Sequence, residues 1–311
     1  MNTDGLSDKA SLPINLLPRL AAFGEDGRRW FENLPATLAL CAQRWGLSIG
    51  QPVDELSYNY VAPALLADGR ELMLKLGVPR PELSHEIAAL QQYDGRGAVR
   101  LIDMDAGAGI LLLERLRPGQ MLVSLGPERD KEATRIAARV MKRLWRPVDA
   151  TGPFDNVARW SKGFSRLRAT FGGGTGPFPP GMVAEAEAIY QRFLAEPGQR
   201  LLLHGDLHHY NILSAEREPW LAIDPKGVVG EAAYEAGALL RNPLTLAQWP
   251  DLAAIQSRRL DILSQELGIS RRRLRQWAYA QAVLSAWWTF EDEGIVGDEW
   301  LLIAHSLQAA N

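Results

Sequence analysis

The chain has 311 residues, with 34 Lys and Arg against 37 Asp and Glu, a formal net charge of −3, 47% hydrophobic residues and a single cysteine. That length can bury one large core or two lobes, and the composition is that of an ordinary soluble globular protein. The near-neutral charge and the lack of a Lys/Arg block exclude the electrostatic footprint of a nucleic-acid binder, and the lone Cys41 excludes an intramolecular disulfide framework.

The first 17 residues carry acidic side chains and a proline where a signal peptide needs a basic start and an unbroken apolar stretch. No run approaches the roughly 20 apolar residues that cross a bilayer. A cytoplasmic protein without membrane association is expected, with Cys41 as a small core residue. Leu16 to Trp45 reads as two helical segments, with Trp30, Phe31, Leu34, Leu38, Cys41 and Trp45 at mostly helical spacing. Such a stripe is a packing layer, and no chemistry is assigned to it.

From Leu56 the pattern changes to short extended runs. Tyr58 to Leu66 and Glu71 to Leu76 flank Ala67-Asp68-Gly69-Arg70, whose Asp-Gly pair is a hairpin signal. Lys75 lies among apolar residues near the end of the second strand, where its ammonium must be paired or must reach solvent at an edge. The loop before this hairpin, 54–60, lacks the glycines that let a backbone close over phosphates, so a ligand there would be met by the side chains of Ser57 and Asn59. Pro81 to Tyr93 reads as a helix opened by proline and glutamate. Glu82 in its first turn is explained by the helix dipole, which leaves Glu86 as the acidic residue in need of a reason.

Val99 to Asp103 and Ile110 to Leu116 complete a small antiparallel sheet, with a Gly-containing turn between them. From Glu128 the pattern is helical: Ala133, Ile136, Ala137, Val140, Met141 and Leu144 fall on one face. Phe154 to Phe171 and Met182 to Ala195 read as further helices, separated by a Gly/Pro-rich surface loop.

Leu201 to Asp224 holds the densest chemistry. An apolar strand, Leu201 to Leu203, runs into the polar loop His204 to Tyr210, and Ile212 to Ala215 and Trp220 to Ile223 form a hairpin closed by a short connection. The spacing places Asn211 opposite Asp224 at the open end, with Asp206 on the loop leading in. One amide oxygen and two carboxylates then converge, an arrangement suited to a hard cation beside a proton acceptor. His204, Asp206, His208 and His209 also offer nitrogen and oxygen donors at close spacing, so a zinc-dependent hydrolase is a reading from a different class. It requires further ligands, and only His85 and His305 remain among the histidines. Lys226 either approaches the same centre or is a loop lysine. Towards the C-terminus Ser270 caps a helix whose inward face carries Leu274, Trp277, Gln281, Leu284 and Trp288, and which ends in Glu291, Asp292 and Glu293.

The segments HGDLHHYN (His204 to Asn211) and IDPKG (Ile223 to Gly227) resemble the catalytic loop and metal-binding aspartate of the aminoglycoside phosphotransferases. WLAIDPKGVVGE and LLRNP (Leu239 to Pro243) narrow the resemblance to the streptomycin 6-kinase and hydroxyurea phosphotransferase branch. The resemblance implies an α+β, two-lobed protein-kinase-like fold, with a small antiparallel-sheet N-lobe and a larger, mainly helical C-lobe. Residues 1–50 would be a helical extension packing on the N-lobe, 51–116 the nucleotide-binding N-lobe, and 117–311 the catalytic and substrate-binding C-lobe.

The resemblance further implies ATP and Mg²⁺ as co-reactants and a small hydroxylated molecule as acceptor, most plausibly streptomycin at its 6-hydroxyl. Hydroxyurea or another small metabolite is the alternative acceptor, and an inactive nucleotide-binding relative the alternative role. Asp206 would accept the hydroxyl proton, Asn211 and Asp224 would hold the metal, and Lys75 with Glu86 would meet the nucleotide phosphates. Ser57, Asn59 and the backbone from Glu114 to Leu116 would complete the nucleotide site. Glu231 and Glu235 stand where the family commonly has aspartate, and with Gln281, Trp288 and Glu291 they are the acceptor-side candidates. An acidic, tryptophan-lined cleft suits a guanidinium-bearing acceptor. The protein is expected to be a monomer or homodimer with no nucleic-acid or membrane partner.

Overall fold

The computed structural model describes residues 13, 16–54, 56–148, 152–196 and 198–310. Most of the leader reading, and Glu55 of the loop before the hairpin, therefore lie outside the described residues. No helix among the described residues is long and apolar enough to cross a membrane. The chain divides into two compact units, one made of the described residues up to Ile87 with Arg100–Arg115, the other of Ala88–Val99 with the described residues from Leu116 onward. These boundaries cut the chain differently from a division at 50 and 116: residues 16–50 belong with the first sheet, and 88–99 with the second unit.

The first unit opens with a short helix α1 (Leu17–Leu20) and continues in α2 (Gly24–Trp45). Two helical segments are expected here, yet α2 runs unbroken through Pro35. The proline removes one helical hydrogen bond, and burial of Phe31, Leu34 and Cys41 on either side keeps the helix in place. Gly46 ends it in the left-handed conformation, φ 62°, which costs glycine little. Strands β1 (Leu47–Ile49), β2 (Tyr60–Leu66) and β3 (Glu71–Leu76) follow, then helix α3 (Pro81–Tyr93) and strands β4 (Leu101–Asp105) and β5 (Ile110–Glu114). The sheet order is β1-β2-β3-β5-β4, antiparallel throughout. The hairpin turns at Gly69, φ 87°, as its Asp-Gly pair requires. Trp45 donates to Asp103 at 2.8 Å and Arg44 pairs with Asp105 at 2.8 Å, tying the end of α2 to β4.

The second unit begins with β6 (Pro118–Met121) and the long amphipathic helix α4 (Asp130–Leu144). Strands β7 (Arg146–Pro147) and β8 (Asp155–Asn156) lead to helices α5 (Val157–Trp160) and α6 (Lys162–Thr170), where a single helix is expected from 154 to 171. Asn156, whose side chain accepts the Arg159 amide, caps the run and starts it three residues late, and at the break between α5 and α6 the Ser161 hydroxyl donates to the Ala158 carbonyl at 2.8 Å. Helix α7 (Pro180–Ala195) precedes β9 (Leu201–Leu203), the hairpin β10 (Ile212–Ala215) and β11 (Trp220–Ala222), and β12 (Val228–Gly230). Strands β11, β10 and β6 form one sheet, and β7, β9, β12 and β8 another.

Four helices finish the chain: α8 (Ala232–Leu240), α9 (Leu252–Leu267), α10 (Arg271–Glu293) and α11 (Asp298–Ala309). α10 is the axle of this unit; Trp277, Leu284 and Trp287 are buried within it, with Tyr190, Tyr234 and Phe178 stacked edge-on around them. A buried ion pair fixes α4 to α9. Arg259, fully buried, gives two bonds of 2.6 and 2.8 Å to Asp130, itself 2% exposed, and further bonds to the Leu239 and Asn242 carbonyls. A charge in such a place is tolerable because its donors are engaged.

Candidate active site

In the sheet unit, β3 and α3 bring one cation and one anion together. Lys75 is 3% exposed, and its ammonium donates to both carboxylate oxygens of Glu86, at 2.7 and 2.9 Å. Of the two ways open to Lys75, pairing or reaching solvent at an edge, the structure shows the first, with a helix glutamate eleven residues on. Asn59 lies with its amide oxygen against Gly77, in space a side chain at Gly77 would fill: a Cβ there would stand 2.3 Å from it. Ser57 is exposed on the same loop. At the end of β5 the Glu114 amide donates to the Arg100 carbonyl, and its carboxylate accepts the Arg100 amide, both at 3.0 Å. That amide is therefore engaged, and any purine edge met there falls to the other backbone groups of 114–116. Leu116 is buried in the second unit.

In the helical unit, β9 delivers the chain into the loop carrying Asp206, and β10 and β11 carry it back. The hairpin register pairs Ile212 with Ala222, and the Ile223 amide bonds the Asn211 carbonyl at 3.0 Å. Asn211 thus stands opposite Ile223, one residue short of the expected Asp224. Asp224 follows in the left-handed region, φ 58°, a conformation that costs a non-glycine residue about 1 kcal/mol or more and recurs at functional turns. The Asn211 amide nitrogen donates to the Asp206 carbonyl at 2.9 Å, which commits its NH₂ and leaves its oxygen as the free end of the side chain. An amide oxygen and a carboxylate on the two arms at the open end of a hairpin are a fitting donor set for a hard divalent cation.

The loop is held from beneath. His204 is fully buried; its Nε2–H donates to the Ile223 carbonyl at 2.8 Å while its Nδ1 accepts the Asp206 amide at 3.3 Å. Burial pushes its pKa down to about 4, so the neutral tautomer fits both bonds. Beside it Glu235, 1% exposed, accepts the amides of His204 at 2.7 Å and Gly205 at 2.9 Å. Burial pushes this carboxyl up to about 7 against the pull of those two N–H groups. Glu235 therefore braces the loop and does not face an acceptor.

Asp206 is under the opposite influence. Burial alone would raise it, but His208, then Arg241 and Lys226, outweigh burial and hold its carboxyl well below the usual range. The His208 Nε2 stands 3.7 Å from Oδ2 and the Arg241 guanidinium 3.4 Å from Oδ1. Arg241 enters the sequence reading only as a letter of LLRNP; its signal was an arginine closing an otherwise apolar helix.

The remaining acceptor-side candidates are not gathered around Asp206. Gln281 is 3% exposed and bonds Arg241 and the Tyr234 carbonyl. Glu231 is gripped by Arg273 at 2.7 to 2.9 Å and by the Trp277 indole N–H, beside a cavity of about 250 Å³ that Phe154, Phe193 and Trp277 also line. Both give way as ligand contacts, because their polar atoms are already engaged inside the protein. Glu291 makes a two-pronged pair with Arg166, at 2.5 and 2.7 Å, which neutralises it. Trp288 is half-buried, edge-on to Trp160, and Trp160 in turn packs beside Gly205 of the loop carrying Asp206. Among the described residues no group of three or more His, Cys, Asp and Glu is placed to hold a metal. Of the donors that the zinc reading grouped, His204 and His208 stay beside Asp206, while the buried His209 lines a separate small recess with Leu122, Asp130 and Trp249.

A family model described as aminoglycoside/hydroxyurea antibiotic resistance kinase matches residues 44–294. A streptomycin 6-kinase of Streptomyces glaucescens is 34% identical over 288 residues, covering 87% of this chain and 88% of the relative. A hydroxyurea phosphotransferase of Kitasatospora aureofaciens is 35% identical over 280 residues, covering 86% and 77%. Among solved structures, the aminoglycoside phosphotransferase APH(4)-Ia, in a ternary complex with ADP and hygromycin B, superposes with a TM-score of 0.61 at 14% identity, covering 88% of this chain and 96% of that one. The fold is the protein-kinase-like one.

Proposed function

The chain belongs to the aminoglycoside/hydroxyurea antibiotic resistance kinase family, a family of phosphotransferases, and from that premise we propose that it transfers the γ-phosphoryl group of ATP to a hydroxyl of a small molecule, in first place streptomycin at its 6-hydroxyl. The observation that carries this reading is Asp206: a carboxylate on a loop whose backbone Glu235 fixes from below, with the Arg241 guanidinium 3.4 Å from its Oδ1 and the Asn211 amide nitrogen on its backbone carbonyl. Hydroxyurea is the second acceptor, favoured by the equal likeness to a hydroxyurea phosphotransferase.

In this reaction the acceptor oxygen bonds to the γ-phosphorus as the bond to the β-phosphate oxygen breaks, and ADP leaves. The acceptor proton goes to Asp206 and then to water. A carboxylate held so far below the usual range is a weak base, so it orients the hydroxyl in line and takes the proton late, as a loose transition state allows. Asn211 and Asp224 would hold Mg²⁺, which would supply neutralisation of phosphate charge. Lys75, aimed by Glu86, meets the phosphates with an ammonium already desolvated and therefore strong. Residues 51–116 serve the nucleotide, with Ser57 and Asn59 in place of a glycine-rich loop, and 117–311 the acceptor, with Trp288 beside Trp160 as its aromatic edge. ATP as donor implies a cytoplasmic enzyme, acting as monomer or homodimer.

The test is the product. Incubated with Mg-ATP and streptomycin, the protein should yield streptomycin heavier by one phosphoryl group, with the phosphorus coupled to the 6-position by NMR. Unmodified streptomycin alongside phosphorylated hydroxyurea would transfer the assignment to the second acceptor.

A further inference from the structure

Helix α8 grips the catalytic loop at two points with opposite charges. Near its start Glu235 holds the loop backbone, and at its C-cap Arg241 reaches the Asp206 side chain. The Arg241 side chain is 11% exposed and that of Asp206 28%, so the pair is only partly open to screening by water. A guanidinium in such a place needs partners for its N–H groups, and their directions fix where it points.

The second of those partners sets the aim. Arg241 gives its other amino group to the Gln281 amide oxygen at 3.0 Å, and the Gln281 nitrogen donates to the Tyr234 carbonyl at 2.5 Å. Because the nitrogen must face that carbonyl, the oxygen can only face Arg241. Gln281 arrives from α10 across Gly237, whose missing side chain is the space the amide fills: a Cβ there would lie 2.3 Å from its carbon. The route from the Tyr234 carbonyl through Gln281 and Arg241 to Oδ1 of Asp206 therefore has one hydrogen-bond polarity and little room to rearrange.

We propose that Arg241, aimed by Gln281, is a positioning residue for phosphoryl transfer: by engaging Oδ1 of Asp206 it leaves Oδ2, whose neighbour His208 Nε2 stands beyond hydrogen-bond distance at 3.7 Å, as the oxygen that receives the acceptor proton. This rests on the reading of Asp206 given above. Arg241 touches neither acceptor nor nucleotide in this role. Its effect falls on kcat, since a carboxylate free to rotate spends less time in line with the acceptor hydroxyl, and an error of an ångström there costs on the order of a hundredfold.

The experiment measures ADP release with Mg-ATP and streptomycin or hydroxyurea for the wild type, Arg241→Ala, Arg241→Lys and Gln281→Leu, together with thermal unfolding of each. Arg241→Ala should lose about a hundredfold in kcat, with the KM for ATP within about twofold. Arg241→Lys should recover part of the loss, and millimolar guanidinium ion added to Arg241→Ala should raise its rate several-fold, which a purely structural arginine would not allow. Gln281→Leu should fall about tenfold, because Arg241 remains but is no longer aimed.

A folded Arg241→Ala with the kcat of wild type overturns the proposal, as does a loss that neither lysine nor guanidinium relieves. If Arg241→Ala does not fold, Arg241→Lys and Gln281→Leu decide, and wild-type kcat in both overturns it. A wild type that releases no ADP with any acceptor defeats the phosphotransferase reading and this proposal together; an active wild type with unaffected variants defeats this proposal alone.

Discussion

The sheet unit buries Lys75 with Glu86, a pair contributed by a strand and the helix that follows it. The helical unit holds a longer series in which Glu235, His204, Asp206, Arg241 and Gln281 come from a loop and two helices up to 77 residues apart, between His204 and Gln281. The difference is one of reach. The pair keeps a desolvated ammonium against a carboxylate of the next element, while the series orients one carboxylate beside a second that burial pushes up. Two carboxyl groups displaced in opposite directions by their surroundings are a common signature of acid–base sites.

The sharpest way to break the comparison is to remove one partner of the pair. Glu86→Ala should cost about 3–5 kcal/mol in urea unfolding, because it takes two charge-assisted bonds from a buried ammonium. A loss below about 1 kcal/mol would mean that water or another anion replaces the Glu86 carboxylate at Lys75.

The series should reveal itself through pH. Glu235 has its pKa raised from 4.5 to about 7 in the folded state, so the folded protein holds the extra proton and stability falls as pH rises through that window. His204 is lowered from 6.5 to about 4, so there the unfolded chain holds the proton and stability rises from about pH 4 to 6.5. Each contribution is about 3 kcal/mol, and in the wild type they oppose one another. Glu235→Gln should unmask the rise and His204→Gln the fall, read as unfolding free energies at pH 5 and pH 7. Parallel pH profiles for wild type and both variants would show that the two groups are not linked to folding in this way.

The smallest effect is expected at the periphery. Glu291→Gln loosens an exposed pair with Arg166 and should change stability by less than about 1 kcal/mol. An appreciably raised KM for a cationic acceptor in that variant would return Glu291 to the acceptor side, despite its pairing.

What the sequence makes legible follows the same division. Lys75 and Glu86 sit eleven residues apart on a strand and a helix of clear periodicity, so their pairing is nearly local information. The loop from His204 to Asn211 and the hairpin after it are readable because strand alternation and loop polarity coincide there, although the register differs by one residue at Asp224. Glu235, Glu231 and Gln281 are harder to place, because a polar residue on an apolar helix face signals burial with a partner but not which partner. Glu235 faces two backbone amides, and backbone donors leave no mark in the sequence. Arg241 had the same invisibility: its partners lie 35 and 40 residues away on other elements. Helix α2, continuous through Pro35, shows tertiary packing overriding a local breaker.

The measurement closest to the central claim is acceptor-dependent ADP release by wild type and Asp206→Asn, with Mg-ATP, streptomycin and hydroxyurea. Turnover that requires an acceptor, and that falls by about a thousandfold in Asp206→Asn while nucleotide binding persists, is the predicted result. Turnover of equal rate in the variant, or nucleotide binding without turnover on any acceptor, would contradict the assignment of Asp206 as the group that receives the proton.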